Sequence, residues 1–519
     1  MADIKSAQQL LKDVPRNDAL KALQEITDWV ESVRDNSDFH LDQRLDVLSL
    51  LDESARTFMR KLMREYFAST APSKFQENRS WMVLNAFFAQ IEQAYSGILL
   101  GYRNGEKGSA AIRAAMPLVA ARGIYAVMGR LKCAAARYAL VDSALWIHLA
   151  EYYSFAEAQQ SLDEPVTLYP GWATTTTVRN RFASLVMWYA PGASTLSPLH
   201  VHLVERLSNY LCRHFTVDPH LSTGSLFCFD LAHPAMPIRV MPDTNPLISM
   251  RFLSAGIVRP QIDNILNVLR KGVVPEEINL GGVYEAVEVR DVTHNLLIFW
   301  GSPPPMRRNA RHPIKVSVNV AHGLTNVFEH GEEEKKSGNN QFDDTESGFG
   351  IQTAGARDAV SMSWAVEDIS AGGFRCVLPS KNAEGVRIGS LIGIKPDNVE
   401  FRGVGIVRRM IRDGQSNLHV GVEMLSKHVE KVKVRSRGVS KMGGGEQAAL
   451  WLIRPGDDVG SVWLLMVPDS FSMSVSLETK FEGKAYLLIP VALLEKGVDY
   501  DLAHYRKVEE DPNAASDAY

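Results

Sequence analysis

Apolar residues recur at helical spacing through the first third of the chain. Leu20, Leu23, Ile26, Val30 and Val33 fall on one stripe, and Asn17 and Asp18 just ahead of it suit an N-cap. Leu45, Leu48, Leu51, Phe58 and Leu62 form a second stripe. The Ala-rich stretch 109–140 is dense in strong helix formers, with arginines on the wet side. From Ile278 onward the pattern changes. Period-two alternation in VYEAVEV (283–289) and the run LLIFW (296–300) predict strands. Pro303-Pro304-Pro305 then stiffens the chain, and short apolar runs follow at 314–320, 360–366, 374–378, 391–396, 402–411 and 417–425. Short antiparallel strands in such a series suggest a small barrel, because closure removes exposed edges.

The segments between these elements complete an α+β multidomain plan. Trp146, Leu149, Ala150 and Tyr153 match the first helix of a tetratricopeptide repeat, but Asp163-Glu164-Pro165 interrupts where the second would follow. A helical bundle over 1–162 is therefore expected. Residues 163–302 form a mixed α/β region, with strand-like runs at 183–190 and 247–253 and a helix-like run at 259–271. A six-stranded barrel domain is expected over 303–440. Its acidic insertion, 329–350, has almost nothing to bury and reads as a mobile loop projecting as a hairpin extension. The basic run 427–441 reads as a linker. Runs at 448–454, 461–467, 472–480 and 484–489 predict a small β-rich subdomain over 441–508, and the tail from Glu509 is expected to fray.

Composition narrows the function classes. The chain has 519 residues, 45% hydrophobic and 22% charged, with a net charge of -4. That balance fits a globular protein and argues against binding a nucleic-acid polymer, though a few clustered arginines suffice for a small anion. Cys133, Cys212, Cys228 and Cys376 are widely spaced, which disfavours a disulfide framework or a zinc site and fits a reducing cytoplasm. The N-terminus lacks the apolar core of a secretory signal. Arg122, Arg130 and Arg137 interrupt the most apolar region, so no transmembrane segment is expected.

Two short motifs carry the candidate chemistry. Arg307-x-x-x-Arg311 precedes the first barrel strand, and Asp368-Ile369-Ser370-Ala371-Gly372-Gly373 ends the second. In that order they resemble the RxxxR and (D/N)xSxxG signatures of the PilZ domain family. VEDISAGGF, RIGSLIGI, GVGIVRR (403–409) and HVGVEML (419–425) also sit where that family has its strands, over about 306–426. The gap between Arg311 and Asp368 is longer than the family's usual spacing. The resemblance implies a receptor for cyclic di-GMP. It implies that Arg307 and Arg311 grip guanine and phosphate, that Asp368 and Ser370 contact the other guanine edge, and that Gly373 is the motif's last glycine. Arg308 is an additional candidate phosphate contact.

The side-chain chemistry agrees. A guanidinium fork matches guanine O6 and N7, or a phosphate, bidentately, and can stack on a purine. A carboxylate complements guanine's N1 and N2 donors. Gly372 and Gly373 are expected to permit positive φ and a close backbone approach. Ligand is expected to draw the arginine segment onto the barrel and rotate the upstream domain.

Other candidates carry less. His200 and His202 would share a face on a strand, with His214 further on, but a metal needs that geometry and a third ligand. Asp230 and His233 have no accompanying nucleophile motif. No catalytic residue and no metal are assigned. The expectation is a receptor, not an enzyme, that passes the messenger's level to an unidentified protein partner through the N-terminal region. Outputs of the family's type are motility, biofilm or surface-polysaccharide control. Two alternatives stay open: an interaction scaffold with a non-binding barrel, and an enzyme housed in 165–300 that the barrel regulates.

Overall fold

In the computed structural model, residues 3–510 are described except 37, 68–72, 173, 302–308, 330–361, 384, 397–402, 438–444, 455–457 and 459. The chain divides into two compact units, Met1–Met306 and Arg307–Tyr519.

The first unit is mostly helical. Helices α1 (Ile4–Lys12), α2 (Ala19–Arg34), α3 (Leu41–Tyr66) and α4 (Lys74–Arg103) come first. They are followed by α5 (Met116–Ala136), α6 (Ala144–Ala158), α7 (Val178–Tyr189) and α8 (Pro198–Leu211). Short polar side chains set several starts. Asp18, Ser73, Thr177 and Ser197 each accept a hydrogen bond from a backbone N–H three residues on. The α5 helix is buried on nearly every side, as a central helix must be. Gly129 lets it approach α4, since a Cβ there would lie 2.2 Å from the Phe88 ring. Together with the turn that precedes it, this segment (Ser109–Ala136) is long and apolar enough to cross a membrane by length and composition, and 67% of its most apolar window is buried within the protein.

A four-stranded sheet follows, made of β1 (Thr216–Asp218), β2 (Phe227–Asp230), β3 (Ile238–Arg239) and β4 (Met250–Ser254) in the order β1-β4-β2-β3. Helices α9 (Val258–Leu269) and α10 (Ala286–Phe299) close the unit. Three expectations fail here. Residues 183–190 fall on α7 rather than a strand, because an apolar run buried all round has no period to distinguish the two. VYEAVEV and LLIFW fall largely on α10, whose buried residues Val289, Val292, Thr293 and Leu296 follow helical spacing. His200 and His202 lie on α8, not on a strand.

The second unit contains two closed antiparallel barrels. The first comprises β5 (His312–His322), β6 (Met362–Ser370), β7 (Gly373–Leu378), β8 (Leu391–Pro396), β9 (Gly403–Arg412) and β10 (Leu418–Ser426). Around the barrel the order is β5-β6-β7-β10-β9-β8. Trp364, Cys376, Leu378, Ile392, Val407 and Val420 are buried on its inner face. A short helix, α11 (Gly323–Glu329), was not foreseen in the sequence. Residues 330–350 of the acidic insertion lie outside the described residues.

The second barrel comprises β11 (His428–Ser436), β12 (Gln447–Ile453), β13 (Ser461–Met466), β14 (Leu477–Phe481), β15 (Lys484–Lys496) and β16 (Asp501–Glu509). The basic run read as a linker is thus largely strand β11, which pairs with β12 and β14. Lys427 alone separates β10 from β11. Leu391, Val404 and Ile406 of the first barrel share one buried cluster with Leu450, Leu452, Leu465, Tyr500 and Leu502 of the second.

Candidate functional site

Arg311, the last residue of the first motif, meets the second motif at one edge of the first barrel. Arg311 stands just ahead of β5, and Asp368 lies near the end of β6, where it pairs with Pro313. Arg311 Nη1 donates to Asp368 Oδ2 at 3.2 Å and lies 3.0 Å from Oδ1. That second approach is an ion pair without hydrogen-bond geometry, so the buried Oδ1 accepts no hydrogen bond among the described residues. Asp368 is 8% exposed, which strengthens each charged contact it makes. Arg307 and Arg308 lie outside the described residues.

A second arginine shares the carboxylate. Arg375 Nε on β7 lies 2.9 Å from Asp368 Oδ2 and 3.0 Å from Glu367 Oε2. Consecutive residues of a regular strand point to opposite faces. Here the β6–β7 register shifts between Val366 and Asp368, so Glu367 is the extra residue of a bulge and both carboxylates reach Arg375. His419 continues the network, with Nδ1 3.1 Å from Glu367 and Nε2 3.2 Å from Asp413.

The β6–β7 turn is fixed by its own residues. Ser370 Oγ donates to the Gly373 carbonyl at 3.1 Å, and the Gly372 carbonyl accepts from the Met424 N–H at 3.0 Å. Gly373 is required by close approach, since a Cβ there would stand 2.0 Å from the Val422 carbonyl oxygen. Gly372 does not take a left-handed φ, contrary to expectation, and a Cβ on it would meet only Asn309 Nδ2 at 3.6 Å.

Beside this turn lies an open groove of about 290 Å³. Asn309, Arg311, Ser370, Gly372 and Gly373 form one side, and β9 and β10 contribute Arg408, Arg409 and Glu423 to the other. Three guanidinium groups against one carboxylate make the lining suited to an anion. The planar forks can donate to phosphate oxygens or a purine edge, and Asp368 Oδ1 keeps lone pairs that no hydrogen bond uses among the described residues. The sequence reading missed Asn309, Arg408, Arg409 and Glu423. GVGIVRR was legible as a strand, but nothing in it marked both arginines as facing one groove.

The remaining candidates sit in separate local contacts. His202 is buried, with Nδ1 2.7 Å from Lys132 Nζ and Nε2 2.8 Å from the Leu280 carbonyl. Burial, reinforced by the charge on Lys132, holds its pKa well below the ordinary imidazole value. Burial also lowers that of His200, and His214 takes a hydrogen bond from Arg213. His233 is exposed and contacts Asp230 at 3.2 Å within a local turn. Among the described residues, no group of three or more His, Cys, Asp or Glu is placed to hold a metal ion.

Comparison with known proteins adds a line drawn from other residues. Residues 5–220 match the family model described as the N-terminal domain of the cyclic-di-GMP receptor FimW. That match spans the helices α1 to α8 and supports a cyclic-di-GMP receptor. No curated protein matches the chain.

Proposed function

We propose that this protein is a PilZ-type receptor whose first barrel binds cyclic di-GMP in the groove beside Arg311, and that it acts as a signal relay, not as an enzyme. The observation that carries the reading is the meeting of Arg311 and Asp368 on the edge of a closed six-stranded barrel, beside Ser370 and Gly373. The likeness of residues 5–220 to a cyclic-di-GMP receptor domain supports the same ligand, and it does so without overlapping either motif.

In this reading Arg311 turns its fork from Asp368 to a guanine or phosphate of the ligand, and Asp368 accepts from the guanine N1 and N2 donors. Ser370 holds the turn that shapes the groove floor, and Gly373 lets that turn lie against β10. Arg307 and Arg308 supply further phosphate contacts. The output runs through a protein partner of the N-terminal region, in the cytoplasm, toward motility, biofilm or surface-polysaccharide control.

Isothermal titration of the intact protein with cyclic di-GMP tests this. Micromolar or tighter binding is expected, about -8 kcal/mol or better, with severe loss in Arg311→Ala. Absence of heat and of competition would favour instead an interaction scaffold built on a silent barrel.

A further inference from the structure

One groove arginine is held by the other barrel. In a regular β9 strand, Arg408 and Arg409 would point to opposite faces. The pairing with β10 sets Arg409 opposite Gly421 and Val407 opposite Val422, which leaves Arg408 as the extra residue of a bulge. Bulges re-aim side chains near functional sites. The result here is that both guanidinium groups border the groove.

Arg408 does not stand there uncommitted. Its Nε donates to Glu423 Oε2 at 2.7 Å, and Glu423 itself lines the groove. Nη1 and Nη2 donate to the two carboxylate oxygens of Glu495 at 2.6 Å each. Glu495 lies on β15 of the second barrel and also accepts from the Tyr500 hydroxyl at 2.7 Å. Tyr500 is fully buried in the cluster that both barrels share. Burial opposes the charge on Arg408, but its bonds to Glu495 and Glu423 outweigh this and raise its pKa. Burial likewise opposes the charge on Glu495, and Arg408 with Tyr500 holds its pKa low. Both partners are therefore charged, joined by a two-pronged ion pair.

A guanidinium has five N–H donors, and here the carboxylates engage all three of its nitrogens. A doubly anionic ligand in the groove competes with those carboxylates for the same fork. We infer that Arg408 is a further ligand-contacting arginine and also the latch between the groove and the second barrel: ligand draws it from Glu495 and Glu423 and so loosens β15. The inference rests on the proposed cyclic di-GMP site, and it assigns the second barrel a role as the first element to respond to occupancy.

The test uses the full-length chain. Cyclic di-GMP affinity is measured by titration for the wild type, Arg408→Ala, Arg408→Lys and Glu495→Gln. Hydrogen–deuterium exchange is followed over 484–509 with and without ligand, and circular dichroism checks that each variant is folded. Ligand is expected to speed exchange over 484–509 in the wild type. Arg408→Ala should weaken binding by about tenfold or more and abolish that response, and Arg408→Lys should restore little of either. Glu495→Gln should bind several-fold tighter, because the competing charge is gone, and should show fast exchange in this segment even without ligand. Wild-type binding with unchanged exchange over 484–509, or undiminished affinity in Arg408→Ala, would overturn the latch and leave the proposed ligand standing. No binding by the wild type would overturn both.

Discussion

Arg311 and Asp368 stand 57 residues apart in the chain, yet their side chains form an ion pair at 3.0 Å on the rim of the first barrel. Arg311 is charge-matched by Asp368, and any anion that enters must offer it a better arrangement.

Arg311→Ala is accordingly expected to cost about 3 kcal/mol of cyclic di-GMP binding, roughly a hundredfold in Kd, because charge-assisted hydrogen bonds are the strong ones. Asp368→Ala should weaken binding as well, by removing the guanine acceptor, even though it releases Arg311. Calorimetric titration of both variants checks the pair. Tighter binding by Asp368→Ala would show that the carboxylate serves only to hold the arginines.

The two glycines of the turn should separate cleanly. Gly373→Ala drives a Cβ to within 2.0 Å of the Val422 carbonyl, a backbone atom that cannot rotate away. Destabilisation of about 2 kcal/mol or more is expected, with loss of ligand binding. Gly372→Ala meets only ordinary contact with Asn309 and should stay within about 0.5 kcal/mol of wild type. Thermal melts of the two variants measure the difference.

In the helical unit, Lys132 Nζ donates to Glu205 Oε2 at 2.8 Å, and both side chains are almost fully buried. Lys132→Met should destabilise by about 3–5 kcal/mol, since it strands a buried carboxylate. Adding Glu205→Gln should recover part of that loss. Denaturant unfolding followed by tryptophan fluorescence provides the measurement.

His202 makes stability depend on pH in a definite direction. Its folded-state pKa is depressed, so below about pH 6.5 the unfolded chain binds a proton that the folded chain refuses. Stability contributed by the neutral ring is therefore complete above that pH and falls as the solution is acidified through it. His200 and His214 shift in the same sense, and His148, raised by its bond to Glu92, shifts in the opposite one. The readout is thus the difference between the wild type and His202→Gln. Melting temperatures between pH 7 and 5 should fall less steeply in the variant.

Much of the barrel and half of its site were legible in the sequence. Short alternating runs bounded by Gly, Asp and Asn marked the strands of the first barrel, and the density of the two motifs marked Arg311, Asp368 and Ser370. What escaped did so for physical reasons. A bulge leaves no trace in composition, so nothing in the chain marked Arg408 and Arg409 as bordering one groove. Glu495, the partner of Arg408, lies 87 residues downstream in another barrel. In β11, Val432 and Val434 alternate with Lys431, Lys433 and Arg435, and that density of charge concealed a strand of period two. The buried α7 helix offered no polar face from which a period could be read.

With Lys427 as the whole of the connection between the barrels, the smallest self-sufficient fragment that retains the groove cannot stop at β10. Truncation there would bare Leu391, Val404 and Ile406 to water and leave Ser426 without the Ile453 carbonyl that lies 2.5 Å from its hydroxyl. A soluble ligand-binding piece of this chain should run through Glu509, and a shorter one should aggregate.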